Sequence, residues 1–333
     1  MSAALTISHC TVASEWDAAI WANARGNIFA AWMWGAYKSR IGWTVTRLII
    51  RDANGDPVAL IQYQVRVRGF LRSVLVQGGP LLTPKGEKHA EAAMGAFVEH
   101  LALGRFDLLV ISFEHAQSDP VLIALLGHHF VPVQSHKYYT LELDLARGTE
   151  PILQGMDQRW RKALRKAERN AELTTRFLTD PSERLAAFDA FWTMYGALQA
   201  RKGFRDTLDG TAFRDLVAND PHHRILEVRE NGTCILVRIA HVSAERFTDF
   251  YTASNDRARA CGAPTLAVWR FIEQAHAEGV RFFDLGGIDP GKNRGTFEFK
   301  HGLSKTLVSS GPRWIYCRTP RLRDAVGAFL AFR

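Results

Sequence analysis

Cysteine is scarce in this chain: four in 333 residues (Cys10, Cys234, Cys261, Cys317), widely scattered and with no CxxC pair. That spacing excludes a disulfide-stapled miniprotein, argues against a structural zinc and fits a reducing compartment. No stretch approaches the roughly 18 consecutive apolar residues of a spanning helix. The opening MSAALTISHCTVASEWD lacks a basic segment followed by an apolar core, so no secretory signal is expected. What is present is ordinary globular material, 47% hydrophobic and 23% charged, which rules out disorder and collagen. These features predict a cytoplasmic protein of one large domain or two ordinary ones.

Forty-two Lys and Arg against 34 Asp and Glu leave a formal charge of +8. Such a surplus suits a polyanionic partner, and equally a solvated basic face, so where the charge sits matters more than its sum.

The sequence repeats itself. LIIRDANGDPVALIQYQVRV around Asn54-Gly55 and RILEVRENGTCILVRIAHV around Asn231-Gly232 are both β-rich runs flanking a hairpin turn. In the first copy VLVQGGPLL, the helical EKHAEAAMGAFVEHLALG and FDLLVISF follow. In the second, FTDFYTAS, the helical TLAVWRFIEQAHAEG and RFFDLGG follow. Asn54 to Asn231 and Phe106 to Phe283 share one offset of 177 residues. Each copy reads helix, hairpin, strand, helix, strand, with a right-handed crossover expected in the strand–helix–strand portion. This is the order of the GNAT N-acyltransferase fold. The expected class is therefore α/β, with two tandem GNAT-like lobes over residues 1–150 and 151–333.

At the junction, PILQGMDQRWRKALRKAERN has a helical apolar stripe (Leu153, Met156, Trp160, Leu164, Ala167). Arg161, Arg165 and Arg169 recur at every fourth position, with Lys162 and Lys166 beside them. Like charges at that spacing repel along a helix, and an RNA phosphate backbone would relieve the repulsion. Salt bridges to a neighbouring lobe are the alternative.

The segment FFDLGGIDPGKNRGTFEFKHGL is the most unusual. Gly286-x4-Gly291-Lys292 comes within one residue of a phosphate-binding loop, but Asn293 stands where Ser or Thr would hold magnesium. No helix is expected after Lys292, so nucleotide hydrolysis is set aside. The expected conformation is a strand ending at Gly286-Gly287, a loop returning through Asn293 and Gly295, and an extended Phe297–Lys300 with Lys300 at the surface.

These residues carry a resemblance to the Fem family, the peptidoglycan interpeptide-bridge aminoacyltransferases. FDLGGIDPGKNRGTFEFKHGL and the preceding FYTASNDRARACGAPTLAVWRFIEQAHAEGVRFFDLGG closely resemble the family pattern. WMWGAYKSRIGW, RWRKALRKAERN and QARKGF match it in order, so the similarity spans nearly the whole chain. Family members have two GNAT-like lobes, and the longer ones insert a helical arm for which this chain has no room.

The resemblance implies transfer of an amino acid from aminoacyl-tRNA to an amine on the stem peptide of a UDP-linked or lipid-linked muramyl precursor. The first lobe would bind the acceptor and the second the acyl donor. Carried over by position, Lys38, Arg201 and Tyr251 would contact the acceptor. Asn293 and Phe299 would lie against substrate, and Lys300 would stand near the reacting carbonyl as the catalytic cation. Arg161, Lys162, Arg165, Lys166 and Arg169 would meet tRNA. An aminoacyl ester is already activated, so neither metal nor cofactor is implied, and the oxyanion needs only a positive partner. The sequence names no general base.

Two other readings stay open. An acyl-CoA-dependent transferase would need an (Arg/Gln)-x-x-Gly-x-(Gly/Ala) loop, and Arg259-Ala260-Cys261-Gly262-Ala263-Pro264 starts that pattern but ends in proline. A non-catalytic tRNA- or membrane-binding module would use the basic amphipathic PRLRDAVGAFLAFR, which would also give peripheral contact with the cytoplasmic face of the membrane. His128-His129 and His222-His223 are read as solvated or capping, with no carboxylate at metal-ligand spacing. Cys261 is read as structural and the nine tryptophans mostly as core, with Trp192 near Tyr195 lining the cleft.

Overall fold

The computed structural model describes residues 5–133, 139–203, 208–243 and 245–331. Phe204 of the QARKGF stretch lies outside the described residues. The chain forms two compact lobes, one of Met1–Tyr138 with Ser309–Arg333, the other of Tyr139–Val308.

The first lobe begins with β1 (Thr6–His9), α1 (Ala13–Trp21), α2 (Trp32–Arg40), β2 (Thr44–Arg51), β3 (Pro57–Arg68), β4 (Leu71–Gln77) and β5 (Leu81–Leu82). It continues through α3 (Ala90–His100), β6 (Leu108–Ser112), α4 (Asp119–Gly127) and β7 (Val131–Val133). The second contains β8 (Tyr139–Asp144), α5 (Thr149–Gly155), α6 (Gln158–Glu168), β9 (Leu173–Leu178), α7 (Pro181–Lys202), α8 (Gly210–Asn219) and β10 (His223–Glu230). After these come β11 (Thr233–Val242), β12 (Arg246–Ser254), α9 (Asp256–Cys261), α10 (Ala263–Ala277), β13 (Phe282–Ile288), α11 (Arg294–His301) and β14 (Leu307–Ser309). Finally β15 (Arg313–Tyr316) and α12 (Pro320–Ala331) return to the first lobe.

The duplication is realised in three dimensions. One sheet runs β1-β2-β3-β4-β6-β15-β7 and the other β14-β8-β13-β12-β11-β10-β9. In both, an antiparallel meander leads to a parallel pair, β4 with β6 and β12 with β13. A helix crosses over between the members of each pair, α3 in the first lobe and α10 in the second.

The lobes are nevertheless not the two halves of the chain. β7 stays in the first sheet while the next strand, β8, pairs with β13 in the second. Correspondingly β14 stays in the second sheet, and β15 pairs with β6 in the first. Each repeat thus lends its last strand to the other sheet, and the consecutive division into 1–150 and 151–333 is corrected accordingly. A sequence boundary cannot register this, because the sheet edge that a short strand joins is set by partners far along the chain.

Each lobe has its own core. In the second, α10 buries Ala263, Leu266, Ala267, Phe271, Ile272 and Ala275 together with Phe247 and Phe283 of the sheet. Phe247 and Phe283 stack at 5.5 Å, as expected of large rings on one face of adjacent strands. The long helix α7 has clear local signals. Asp180 caps it by accepting from the amides of Ser182 and Glu183, Pro181 opens it, and Gly203 closes it in the left-handed region.

Candidate functional site

The second lobe contains a cavity of about 720 Å³ whose lining includes Arg238, Asp249, Tyr251, Gly286, Phe299 and Lys300. Its geometry starts from a β-bulge. The pairing of β13 with β8 shifts between Asp284 and Gly287, and Gly286 takes φ +74°. The buried Asp284 carboxylate holds the bulge by accepting from the Gly286 amide at 2.8 Å and from the Thr140 hydroxyl. Burial pushes the Asp284 carboxyl up, against the pull of those two donors. The bulge presents the Gly287 carbonyl, which accepts from Lys300 Nζ at 2.9 Å.

Lys300 is not on an extended segment. Residues Arg294–His301 are the helix α11, capped by Asn293, whose side chain accepts from the Thr296 amide. An Arg294–Glu298 pair at 2.7 Å spans one turn. The expectation of a strand, and of no helix after Lys292, is therefore corrected. Local capping and pairing outweigh the glycine and aromatic residues that favoured extension. Asn293 still replaces the magnesium-holding hydroxyl.

The exposure expected of Lys300 is also corrected, since only 9% of it is accessible. Desolvation lowers its pKa; Asp249 opposes the shift and Arg238 reinforces it. Helix α11 is anchored from α6, where Trp160 Nε1 donates to the Phe299 carbonyl at 3.0 Å and its ring meets Phe299 at 5.2 Å. Gly302 permits the approach, since a Cβ there would lie 2.8 Å from the Trp160 ring.

Beside the ammonium lies a second charged feature, absent from the sequence reading. Arg238 of β11 grips Asp249 of β12 in a two-pronged pair, Nε to Oδ1 at 3.0 Å and Nη2 to Oδ2, with both side chains over nine-tenths buried. The two residues lie eleven apart on neighbouring strands, and a bulge between Ile239 and Ala240 separates their register positions. Nothing local signals such a pair. On the same cavity Tyr251 meets Tyr195 edge to face at 5.9 Å and Phe191 at 5.9 Å.

The predicted residues therefore divide. Tyr251, Asn293, Phe299 and Lys300 share the cavity. Arg201 is half-exposed, ion-paired with Asp256 and not among the lining residues, whereas its neighbour Lys202 is. Lys38 belongs to the first lobe, where Trp34, Tyr37 and Trp43 surround its Nζ at 5.0, 5.9 and 5.9 Å. Burial, reinforced by the Arg66 charge, lowers the Lys38 pKa to about 8.

On α6 Lys162, Arg165 and Lys166 are exposed, as is Arg169 at its C-cap. Arg161 is held inward, with Nη1 donating to the Gln154 and Met156 carbonyls at 2.6 Å each. The opposite stripe, Trp160, Leu164 and Ala167, is buried and belongs to the same core as α10.

His128 is the C-cap of α4 and His129 is exposed beside it, in keeping with the capping or solvated role expected of them. Two other expectations change. Trp192 packs on Gly210 instead of lining the cavity. His223 is buried, its Nδ1 is 2.6 Å from Asp220, and Asp220, His223 and His241 converge within 4.8 Å, so a carboxylate does stand at ligand distance. Desolvation lowers both His223 and His241. Arg184 sits against the cluster, donating to the carbonyls of Val217, Asp220 and His223.

The half-present CoA pattern falls at the start of α10, with Gly262 in the left-handed region and Pro264 in the first turn. Arg259 and Pro264 both line the cavity. Proline removes one of the amides that an anion at a helix start would use.

Residues 155–301 match the acetyltransferase (GNAT) domain family. No curated protein matches the chain. Among solved structures it is similar to FemX, with TM-score 0.80 and 14% identity over 97% of this chain and 100% of that one. It is also similar to L-PGS from Bacillus licheniformis, with TM-score 0.61 and 12% identity over 96% and 97%. A tandem GNAT protein from the clavulanic acid biosynthesis pathway gives TM-score 0.51 and 11% identity over 94% and 98%. At these identities the likeness is one of fold: the chain is a tandem of two GNAT-like lobes.

Proposed function

From a chain with the tandem fold of FemX and a GNAT domain in its second lobe, we propose an aminoacyltransferase that moves an amino acid from aminoacyl-tRNA to an amine of a muramyl stem peptide. The observation that carries this reading is Lys300, a buried cation in a cavity, fixed to the Gly287 carbonyl by one of its three donors. The amine nitrogen attacks the ester carbonyl, forming the N–C bond and a tetrahedral oxyanion. The C–O bond to the tRNA ribose then breaks, and the ribose oxygen leaves with the proton the amine has lost. A desolvated ammonium acts more strongly on the oxyanion than it would in water. Lys300 is the proposed catalytic residue, and Tyr251 and Phe299 the proposed cavity wall against substrate. Asn293 has a structural duty as the cap of the helix that carries both Phe299 and Lys300.

The exposed Lys162, Arg165, Lys166 and Arg169 are proposed to meet tRNA phosphates, with Arg161 supporting the helix that presents them. Lys38 in its aromatic enclosure is proposed to serve the acceptor in the first lobe, and the second lobe the acyl donor.

The test incubates the protein with mixed aminoacyl-tRNAs and a UDP-linked muramyl pentapeptide, with mass spectrometry as readout. An acyl-CoA panel runs in parallel. A tRNA-dependent mass gain, reduced about 10²–10³-fold in Lys300→Ala, supports the proposal. Transfer from acyl-CoA alone overturns the donor, and undiminished transfer by Lys300→Ala overturns the catalytic assignment.

A further inference from the structure

One end of the first lobe carries apolar side chains for which folding offers no reason. The β3–β4 hairpin turns at Gly69-Phe70, a position that usually holds small polar residues. Phe70 is 86% exposed, Val67 63%, and Phe106, at the entrance to β6, 45%. The two rings touch edge to face at 6.2 Å, which gathers them into one projection instead of leaving isolated exposures.

Arginines surround this projection. Arg68 is exposed on the hairpin, and the exposed Arg105 lies over the Phe106 ring at 5.6 Å. The Arg105 carbonyl accepts from Thr319 Oγ1 at 2.8 Å and from Cys317, which brings the exposed Arg318 alongside. Asp107, the acidic neighbour, is mostly buried and is paired with Arg72 at 3.3 Å, so it does not offset the arginines at the surface.

We propose that this end of the first lobe docks on an anionic phospholipid bilayer, with Phe70, Phe106 and Val67 entering the headgroup boundary and Arg68, Arg105 and Arg318 meeting lipid phosphates. An apolar tip within a basic rim is the arrangement that an interface with apolar depth and negative surface charge rewards. RNA fits less well, because Val67 has no flat face on which a base could stack. The surface involves neither the second-lobe cavity nor the C-terminal helix named in the sequence reading. Docking is measured without turnover, so it stands or falls separately from the proposed reaction.

The experiment sediments the full-length protein with vesicles of phosphatidylcholine, with and without phosphatidylglycerol, at low and high salt. Phe70→Ser/Phe106→Ser and Arg68→Gln/Arg105→Gln are compared with wild type and checked for fold by circular dichroism. All four positions are exposed, so both variants are expected to fold. Wild type should pellet with the anionic vesicles and be released by salt. Removing the two arginines should weaken partition roughly thirtyfold, and removing the two rings should weaken it as well. Equal partition to neutral vesicles, no partition by wild type, or unchanged partition by both variants each overturns the proposal. So does loss of tRNA gel-shift in these variants with vesicle binding intact, or loss of vesicle binding only in Arg321→Gln on α12.

Discussion

Replacing Gly286 by alanine tests whether the β13 bulge holds Lys300 in position. The new Cβ would sit 2.6 Å from the Asp249 carbonyl oxygen and 3.4 Å from Lys300 Nζ, on a residue at φ +74°. The backbone contact cannot be relieved by turning a side chain, so strand β12 or the bulge must move. A left-handed conformation costs a non-glycine residue about 1–2 kcal/mol, and forced displacement in a packed site about 1–3 kcal/mol. The expected destabilisation is therefore about 2–5 kcal/mol. For a lobe of this size that lowers the unfolding midpoint by roughly 5–15 °C.

The assay is thermal unfolding followed by circular dichroism, with the transfer assay run well below the midpoint. Activity should fall further than the loss of folded protein accounts for, because the Lys300 amine is displaced. Gly295→Ala is the control, since a Cβ there meets nothing within 4 Å and its φ is not left-handed. It should change stability by no more than about 1 kcal/mol. A Gly286→Ala protein with the wild-type midpoint and full activity would refute the reasoning.

Other outcomes follow from the same geometry. Because burial lowers the Lys300 pKa, its ammonium is lost earlier as pH rises; the alkaline limb of kcat should fall below the ordinary lysine range of about 10.4 and shift or vanish in Lys300→Arg. A limb unchanged in an active Lys300→Arg enzyme would contradict this. Breaking the Arg238–Asp249 pair by Arg238→Leu should cost about 3–5 kcal/mol in urea unfolding, whereas Arg238→Leu/Asp249→Leu should recover much of it; a double variant as unstable as the summed singles would argue against a coupled pair. His223 and His241 have folded pKa values below the unfolded value of about 6.5, so the unfolded chain takes up protons first on acidification. Well above that pH the pair should leave stability unchanged, and stability should fall as the pH drops through and below it, a loss that a His223→Gln/His241→Gln protein should lack.

Much of the fold was legible because the signals are local. Hairpin turns at Asn54-Gly55 and Asn231-Gly232, alternating strands and amphipathic helices each arise from a few neighbouring residues, and their common offset exposed the duplication. The basic helix α6, with its apolar stripe, was legible for the same reason, whereas the glycine-rich segment after β13 was legible as a site but not as the helix it forms. Tertiary structure alone decided which sheet accepts β8 and β15, since strand pairing depends on the shape and unsatisfied edge of a distant partner. It also decided the state of Lys300. That residue's burial depends on a bulge clamped by Asp284 and Thr140, 144 positions apart, and on Trp160 anchoring α11 from 139 positions away. Arg238 and Asp249 became a pair, and Asp220, His223 and His241 a cluster, only once the strands and the loop before them were assembled. Charge, burial and pKa are properties of the space around a side chain, and that space is supplied by residues far along the chain.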